Sequence, residues 1–124
     1  TYKGPKRDSR SNTRLEHETS VGDSRTAQDI LLSLGFCPVL TVCKDRRTYH
    51  LDAVTVCLDQ VEGLGSYLEL EHLLPDEAGR DAAVDGLLSL LDQLGVARQA
   101  LERRSYLELL LATTQAGGVS KREE

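Results

Sequence analysis

The sequence predicts an α+β protein built on an antiparallel sheet. Three strand-like segments, at residues 39–50, 53–60 and 66–73, follow one another with only short turns between them, and two helical segments come after residue 75. Parallel strands would each need a long crossover, usually a helix, between them. Because strands and helices do not alternate regularly, the order favours an antiparallel sheet with flanking helices over a doubly wound fold.

The first third of the chain predicts two further strands and a helix. Residues 1–4 are typical of the end of a strand, residues 5–11 of a polar, basic turn, and charged residues alternate along residues 14–21. Ser24 is predicted to be the N-cap of a helix that ends at Gly35. The apolar stripe of this helix comprises Ala27, Ile30, Leu31 and Leu34.

The last third of the chain predicts two helices and a tail. Apolar residues at helical spacing predict a helix that ends at Gly95, and these residues are Val84, Leu87, Leu88, Leu91 and Leu94. A further helix is predicted within residues 97–113. We expect one domain over residues 1–114 and a loose, charged tail over residues 115–124.

Composition narrows the class of protein. The chain has 124 residues, of which 40 % are hydrophobic and 28 % charged, as expected for one globular domain. A formal net charge of −5 argues against nucleic acid as a partner. There is no apolar run approaching the length of a membrane span and no signal-peptide pattern. The three cysteines, Cys37, Cys43 and Cys57, lack C-x-x-C spacing and indicate reduced thiols in a cytoplasmic protein.

A pair of carboxylates follows a Gly-Leu-Gly turn. Glu69 and Glu71 lie two residues apart on a predicted strand, so their side chains project from the same face. Adjacent carboxylates repel each other unless a cation or a basic side chain lies opposite them. Because carboxylate oxygens are preferred ligands of hard cations, this pair predicts a site for Mg²⁺ or Mn²⁺.

Two other segments carry charges at alternating positions. Arg14, Glu16 and Glu18 alternate in one segment, and Lys44 and Arg46 in the other. A solvent-facing sheet surface would explain any one of these segments equally well. Acids and bases that are segregated by strand over three segments instead favour a single charged surface, as in the wet lumen of a closed sheet.

We therefore expect a concave charged face on a single curved antiparallel sheet, with the helix of residues 24–34 packed outside it. The residues expected on this face are Arg14, Lys44, Glu69 and Glu71.

Six stretches of the sequence occur in the order in which one known family carries them. They are TYKGP at 1–5, SNTRLEHE at 11–18, LGF at 34–36, VCKDRRTY at 42–49, VCLDQVEGLGSYLELE at 56–71 and SYLELL at 105–110. On these stretches the chain resembles the CYTH domain and, within it, the class IV adenylate cyclase-like branch. The resemblance implies an antiparallel barrel that forms a triphosphate tunnel, with basic residues on the phosphates and carboxylates on a divalent metal ion.

The sequence departs from the family at its start. Members of the family open with a strand that carries E-x-E-x-K and with further strands before the TYKGP stretch, and this sequence contains neither. We therefore expect it to hold roughly the C-terminal two thirds of the domain, with a barrel that lacks its opening strands. Because unpaired strand edges recruit other chains, a homo-oligomer or a strand-swapped dimer is predicted.

The resemblance also implies roles for individual residues. The phosphate-binding residues are Lys3, Arg14, Lys44 and Arg46, of which Lys44 and Arg46 are the catalytic ones. The metal ligands are Glu69, Glu71 and Asp59, and further acidic residues of the tunnel are Glu16 and Glu18. Arginine suits phosphate because its planar fork binds two oxygens at once.

The placement of two further residues depends on how strands and helices pack. Asp59 shares a face with Glu69 only if their hairpin pairs residues whose numbers sum to an even value. Tyr106 shares a helical face with Leu109 and Leu110, which predicts core packing.

Three functions remain open on the sequence. The resemblance implies conversion of ATP to cyclic AMP and pyrophosphate by attack of the ribose 3′-hydroxyl on the α-phosphorus. Attack of water on the terminal phosphorus in the same tunnel would instead make a triphosphatase of inorganic or organic triphosphates, such as a thiamine triphosphatase. The third is a polyphosphate or nucleotide binding module without turnover. The partner in each case is a nucleoside triphosphate or another triphosphate.

Overall fold

The computed structural model describes residues 1–117 of the chain. The chain divides into two compact units, an N-terminal unit of Thr1–Thr41 and a C-terminal unit that begins at Val42.

The N-terminal unit contains the two strands predicted near the start. β1 (Tyr2–Lys3) and β2 (Glu16–His17) pair antiparallel, and next to them the amide of Gly4 donates to the carbonyl of Leu15 at 2.8 Å. A Cβ at position 4 would lie 3.3 Å from that carbonyl oxygen, so glycine allows the two backbones to approach closely. The ladder between β1 and β2 is shorter than the charge alternation over residues 14–21 predicts.

Helix α1 (Ser24–Ser33) confirms the predicted helix but not its cap. Asp23, rather than Ser24, is the N-cap, because its carboxylate accepts hydrogen bonds from the amides of Arg25 and Thr26. The bonds to Thr26 hold the pKa of Asp23 below its usual value.

The apolar stripe of α1 is exposed among the described residues. No residue of α1 is buried, and Ile30 and Leu31 are each at least half exposed. The periodicity therefore predicted the helix correctly, and the packing of this helix outside the sheet stays a prediction. Gly35 follows the helix with a φ of 100°, which glycine adopts without strain.

The C-terminal unit is built on a three-stranded antiparallel sheet in the order β3-β4-β5. β3 is Lys44–Leu51, β4 is Val54–Val61 and β5 is Gly65–His72. The three predicted strands are therefore confirmed, but β3 begins later than the sequence pattern, which starts at residue 39. Because β4 ends at Val61, opposite Lys44, residues before Lys44 have no strand beside them on that edge.

Two helices follow the sheet. α2 is Arg80–Gln93, and after a 3₁₀ turn at Arg98–Ala100 the chain forms α3 (Tyr106–Gly117). α3 starts later than predicted and runs three residues into the segment predicted as a tail. The rest of that segment, residues 118–124, lies outside the described residues. None of the helices within residues 1–117 has the length and apolar content needed to cross a bilayer.

The α+β class and the antiparallel pairing are confirmed, but the described strands do not close a barrel. β2 pairs with β1 and β3 pairs with β4, so the five strands of residues 1–117 form two separate sheets. The prediction of a single curved sheet is therefore wrong for this part of the chain. Self-association through the strand edges stays a prediction.

The sheet of the C-terminal unit has a helix near each face. α2 lies against β5 on one side, beside Val54 and His72. The first residue of α3, Tyr106, contacts the opposite face through Asp59. The buried apolar residues of this unit are Cys57, Val61, Val84 and Leu109.

Val61 provides a test of this packing. It is 1 % exposed, so Val61→Ala should lower the free energy of unfolding by about 2 kcal/mol through lost burial and the cavity left behind. Leu73→Ala is the control, because Leu73 is 74 % exposed and its truncation should change stability by less than about 0.5 kcal/mol. Urea unfolding measures both, and equal midpoints for the two variants would contradict the packing.

Candidate functional site

The register of the C-terminal sheet sorts its side chains onto two faces. Arg46 lies opposite Asp59, and Asp59 lies opposite Tyr67. Side chains two residues apart on a strand share a face. Charged residues two or four positions from Arg46 or Tyr67 along their strands therefore lie on the same face as Asp59. We call the resulting surface the charged face, and its lysine, arginine and carboxylate residues are Lys44, Arg46, Asp59, Glu69 and Glu71.

The register also decides the open question about Asp59. Val54 pairs with His72 and Cys57 pairs with Glu69, which is the even pairing, so Asp59 and Glu69 lie on the same face. Arg47 pairs with Leu58 and lies on the opposite face from Arg46. The expectation that Lys44, Glu69 and Glu71 share one surface is therefore confirmed within the C-terminal unit.

Asp59 is the buried centre of the charged face. Its side chain has no solvent exposure, and its Oδ1 accepts from Nε of Arg46 at 2.7 Å. Its Oδ2 accepts from Nη2 of Arg46 at 2.6 Å and from the hydroxyl of Tyr106 at 2.7 Å, with Nζ of Lys44 at 3.9 Å. The hydrogen bonds from Arg46 hold the pKa of Asp59 below its usual value, which keeps it ionised.

Arg46 joins the buried and the exposed acids of this face. Its Nε and Nη2 form a bidentate pair with Asp59, and its Nη2 also contacts Oε2 of Glu69 at 2.5 Å. The hydrogen bond to Asp59 raises the pKa of Arg46, so the guanidinium is permanently charged. A charge-assisted fork of this kind fixes orientation as well as adding energy.

Glu69 and Glu71 offer oxygens at the exposed edge of the charged face. Both side chains are exposed, and within residues 1–117 the side chain of Glu71 makes neither a hydrogen bond nor an ion pair. No group of three or more His, Cys, Asp or Glu side chains in this range could hold a metal ion. Two adjacent carboxylates with one uncommitted member still match the oxygen chemistry that Mg²⁺ and Mn²⁺ prefer.

Asp59 differs from these two glutamates in its surroundings. Its neighbours are two basic side chains and a phenol, and both of its oxygens already accept hydrogen bonds. Its assignment as a metal ligand stays a prediction, and its contacts fit an anchor for Arg46 better.

Tyr106 is the residue of this site that the sequence interpretation missed. Its ring meets that of Tyr67 edge-on at 5.2 Å, and Nζ of Lys44 lies 5.2 Å from its centroid. Burial, followed by the hydrogen bond to Asp59, raises the pKa of Tyr106, so its hydroxyl stays protonated. The SYLELL stretch pointed to this position, but helical spacing alone predicted only core packing.

The remaining predicted site residues belong to the N-terminal unit. Lys3 pairs with Glu16 across β1 and β2, and Nζ of Lys3 lies 3.8 Å from Oε1 of Glu16. Arg14 precedes β2 and Glu18 follows it, and neither lies within the strand. The structure brings Lys3 and Glu16 together, and the phosphate-binding and tunnel roles of these four residues stay predictions.

Comparison with known proteins identifies the family of the chain. The model of the CYTH domain matches residues 1–106. A protein of Methanocaldococcus jannaschii named "Putative adenylate cyclase MJ0240" is 38 % identical over 109 residues, which are 88 % of this chain and 62 % of that protein. "Adenylate cyclase CyaB" of Aeromonas hydrophila is 34 % identical over 90 residues, which are 73 % of this chain and 47 % of that protein.

Solved structures of two Pyrococcus proteins have the same fold. The PH1819 protein from Pyrococcus horikoshii superimposes with a TM-score of 0.84 at 46 % identity, over 90 % of this chain and 63 % of that one. A conserved hypothetical protein from Pyrococcus furiosus superimposes with a TM-score of 0.75 at 30 % identity, over 86 % of this chain and 63 % of that one. The chain thus spans less than two thirds of the length of each of these relatives.

The chain belongs to the CYTH domain family. The names of both curated relatives are consistent with its class IV adenylate cyclase-like branch.

Proposed function

We propose that the charged face belongs to a metal-dependent adenylate cyclase that converts ATP to cyclic AMP and pyrophosphate. The observation that carries the proposal is the placement of Lys44 and Arg46 on the same face as Glu69 and Glu71. Basic groups for phosphate and carboxylates for a divalent cation then act on one substrate from one surface. The names of the two curated relatives supply the reaction.

The donor set supports a divalent cation at the exposed edge of the face. Glu69 and Glu71 would hold Mg²⁺ or Mn²⁺, because their side chains are exposed and the carboxylate of Glu71 has no partner among the described residues. When bound, such an ion neutralises charge on the phosphates and orients them.

The basic residues act on the phosphates themselves. Arg46 is held in one orientation by Asp59, and Lys44 lies beside it with its side chain about one third exposed. Groups that are oriented before the substrate arrives need not reorganise as charge moves toward the leaving pyrophosphate. Positioning and charge neutralisation thus account for catalysis here, as is usual when a phosphoryl centre reacts.

The proposal is tested by the products formed from ATP. The protein, expressed as its gene encodes it, is incubated with ATP and either Mg²⁺ or Mn²⁺, and the nucleotides are separated by chromatography. We expect cyclic AMP and pyrophosphate in equal amounts, and no product after the metal is removed with a chelator.

The other functions predict different products. Orthophosphate and ADP without cyclic AMP would replace the cyclase by a triphosphatase. Tripolyphosphate that binds without being cleaved, together with ATP that stays intact, would leave a binding module. Hydrolysis of thiamine triphosphate faster than ATP would identify an organic triphosphatase.

A further inference from the structure

The first residue of helix α3 is connected to both basic residues of the charged face. The hydroxyl of Tyr106 donates to Oδ2 of Asp59, the carboxylate that holds Arg46. Its ring lies under Nζ of Lys44, at a cation–π distance of 5.2 Å. One side chain therefore reaches Lys44 directly and Arg46 through Asp59.

The contacts of Asp59 leave it little freedom. A carboxylate has about four acceptor sites, and Asp59 uses three of them on two nitrogens of Arg46 and the hydroxyl of Tyr106. Its side chain is fully buried, so water does not replace a lost donor easily. Removing the hydroxyl should therefore loosen the carboxylate and the guanidinium that it holds.

The guanidinium of Arg46 is fixed in direction by the same contacts. Of its five N–H donors, one on Nε and one on Nη2 point to Asp59, and the other on Nη2 points to Glu69. Within residues 1–117 the two hydrogens on Nη1 form no hydrogen bond, so they are available to an anion. A small rotation of the guanidinium would misdirect them, because its donors lie in one rigid plane.

We propose that Tyr106 is a positioning residue, whose hydroxyl fixes Asp59 and thereby aims Arg46 at a phosphate group of the substrate. The identity of that anion rests on the proposed function. The fixed orientation of the guanidinium rests only on the contacts of Asp59 with Arg46 and Tyr106. The start of α3 is then part of the site rather than only part of the core.

Two substitutions separate the roles of the hydroxyl and the ring. Tyr106→Phe removes the hydroxyl and keeps the ring under Lys44, whereas Tyr106→Leu removes both. Tyr49→Phe is the matched control, because Tyr49 lies on the opposite face of β3 and is exposed. The protein is used as its gene encodes it, and its far-UV circular dichroism shows whether each variant is folded.

The first readout is the Nε–H signal of Arg46 in a ¹⁵N-edited NMR spectrum, assigned by its loss in Arg46→Lys. In the unmodified protein this hydrogen is protected by Asp59. We expect it to shift and to exchange with water at least about fivefold faster in Tyr106→Phe, since a hydrogen bond to a charged group is lost nearby. Tyr49→Phe should leave it unchanged.

The second readout is the dissociation constant for tripolyphosphate, measured by calorimetry. We expect about tenfold weaker binding in Tyr106→Phe and about a further threefold in Tyr106→Leu, where the cation–π contact is also lost. An unchanged Nε–H signal and unchanged affinity in Tyr106→Phe would overturn the proposal and leave a packing residue. If the unmodified protein binds no tripolyphosphate, the proposed function fails, and the Nε–H comparison alone decides the positioning role.

Discussion

Replacing Glu71 by glutamine is expected to lower the release of pyrophosphate from ATP by at least about a hundredfold. Glutamine keeps the shape of the side chain but removes the charge that binds a divalent cation. Glu71 is exposed and makes no ion pair within residues 1–117, so the substitution should change the free energy of unfolding by less than about 0.5 kcal/mol.

A metal titration separates a loss of metal binding in Glu71→Gln from a loss of turnover. Binding of Mn²⁺, followed by electron paramagnetic resonance without nucleotide, should weaken in Glu71→Gln and stay unchanged in Glu62→Gln. Glu62 is a suitable control because it is an exposed glutamate in the turn after β4 and does not belong to the strand that carries Glu69 and Glu71. Retained Mn²⁺ affinity and retained turnover in Glu71→Gln would remove Glu71 from the metal site.

Replacing Asp59 by asparagine is expected to lower the free energy of unfolding by about 2–3 kcal/mol. Asparagine has nearly the same shape, but it presents an amide group where Arg46 and Tyr106 both donate hydrogen bonds. The expected loss of unfolding free energy is smaller than for a fully buried ion pair, because the side chain of Arg46 is 32 % exposed and water partly solvates it. Urea unfolding measures the loss.

A double variant distinguishes stability from function at this pair. Asp59→Leu alone should be strongly destabilising, since Arg46 loses its partner, whereas adding Arg46→Met should recover part of the loss because no unpaired charge remains. The double variant should still fail to bind tripolyphosphate. Additive effects on stability would contradict the ion pair, and retained tripolyphosphate binding would contradict the role of Arg46.

Local patterns in the sequence were enough to predict the elements of the C-terminal unit. Side chains alternate with a period of two along β5, so Glu69 and Glu71 had to share a face whatever lay beside them. Gly95, which has a positive φ, follows the end of α2 where predicted. These properties depend on neighbours within one element, which the sequence shows directly.

Properties that depend on pairing were decided by the structure. The sequence left the register between β4 and β5 open, and a slip of one residue would have moved Asp59 to the other face from Glu69. The cap of α1 and the start of β3 also shifted, since both depend on which hydrogen-bond partner is in reach. The sequence also left open what the apolar stripe of α1 contacts, because periodicity predicts a helix and not its packing partner.

Taken alone, the sequence determined the family, the α+β class and the charges along each strand, because motifs and periodicity are read along one chain segment at a time. Only the tertiary structure showed that Asp59 accepts from both Arg46 and Tyr106. Tyr106 lies 47 residues from Asp59 in the sequence, and no local pattern links them. The contact is needed because Asp59 is buried. An ionised carboxylate without solvent must find its hydrogen-bond donors within the fold.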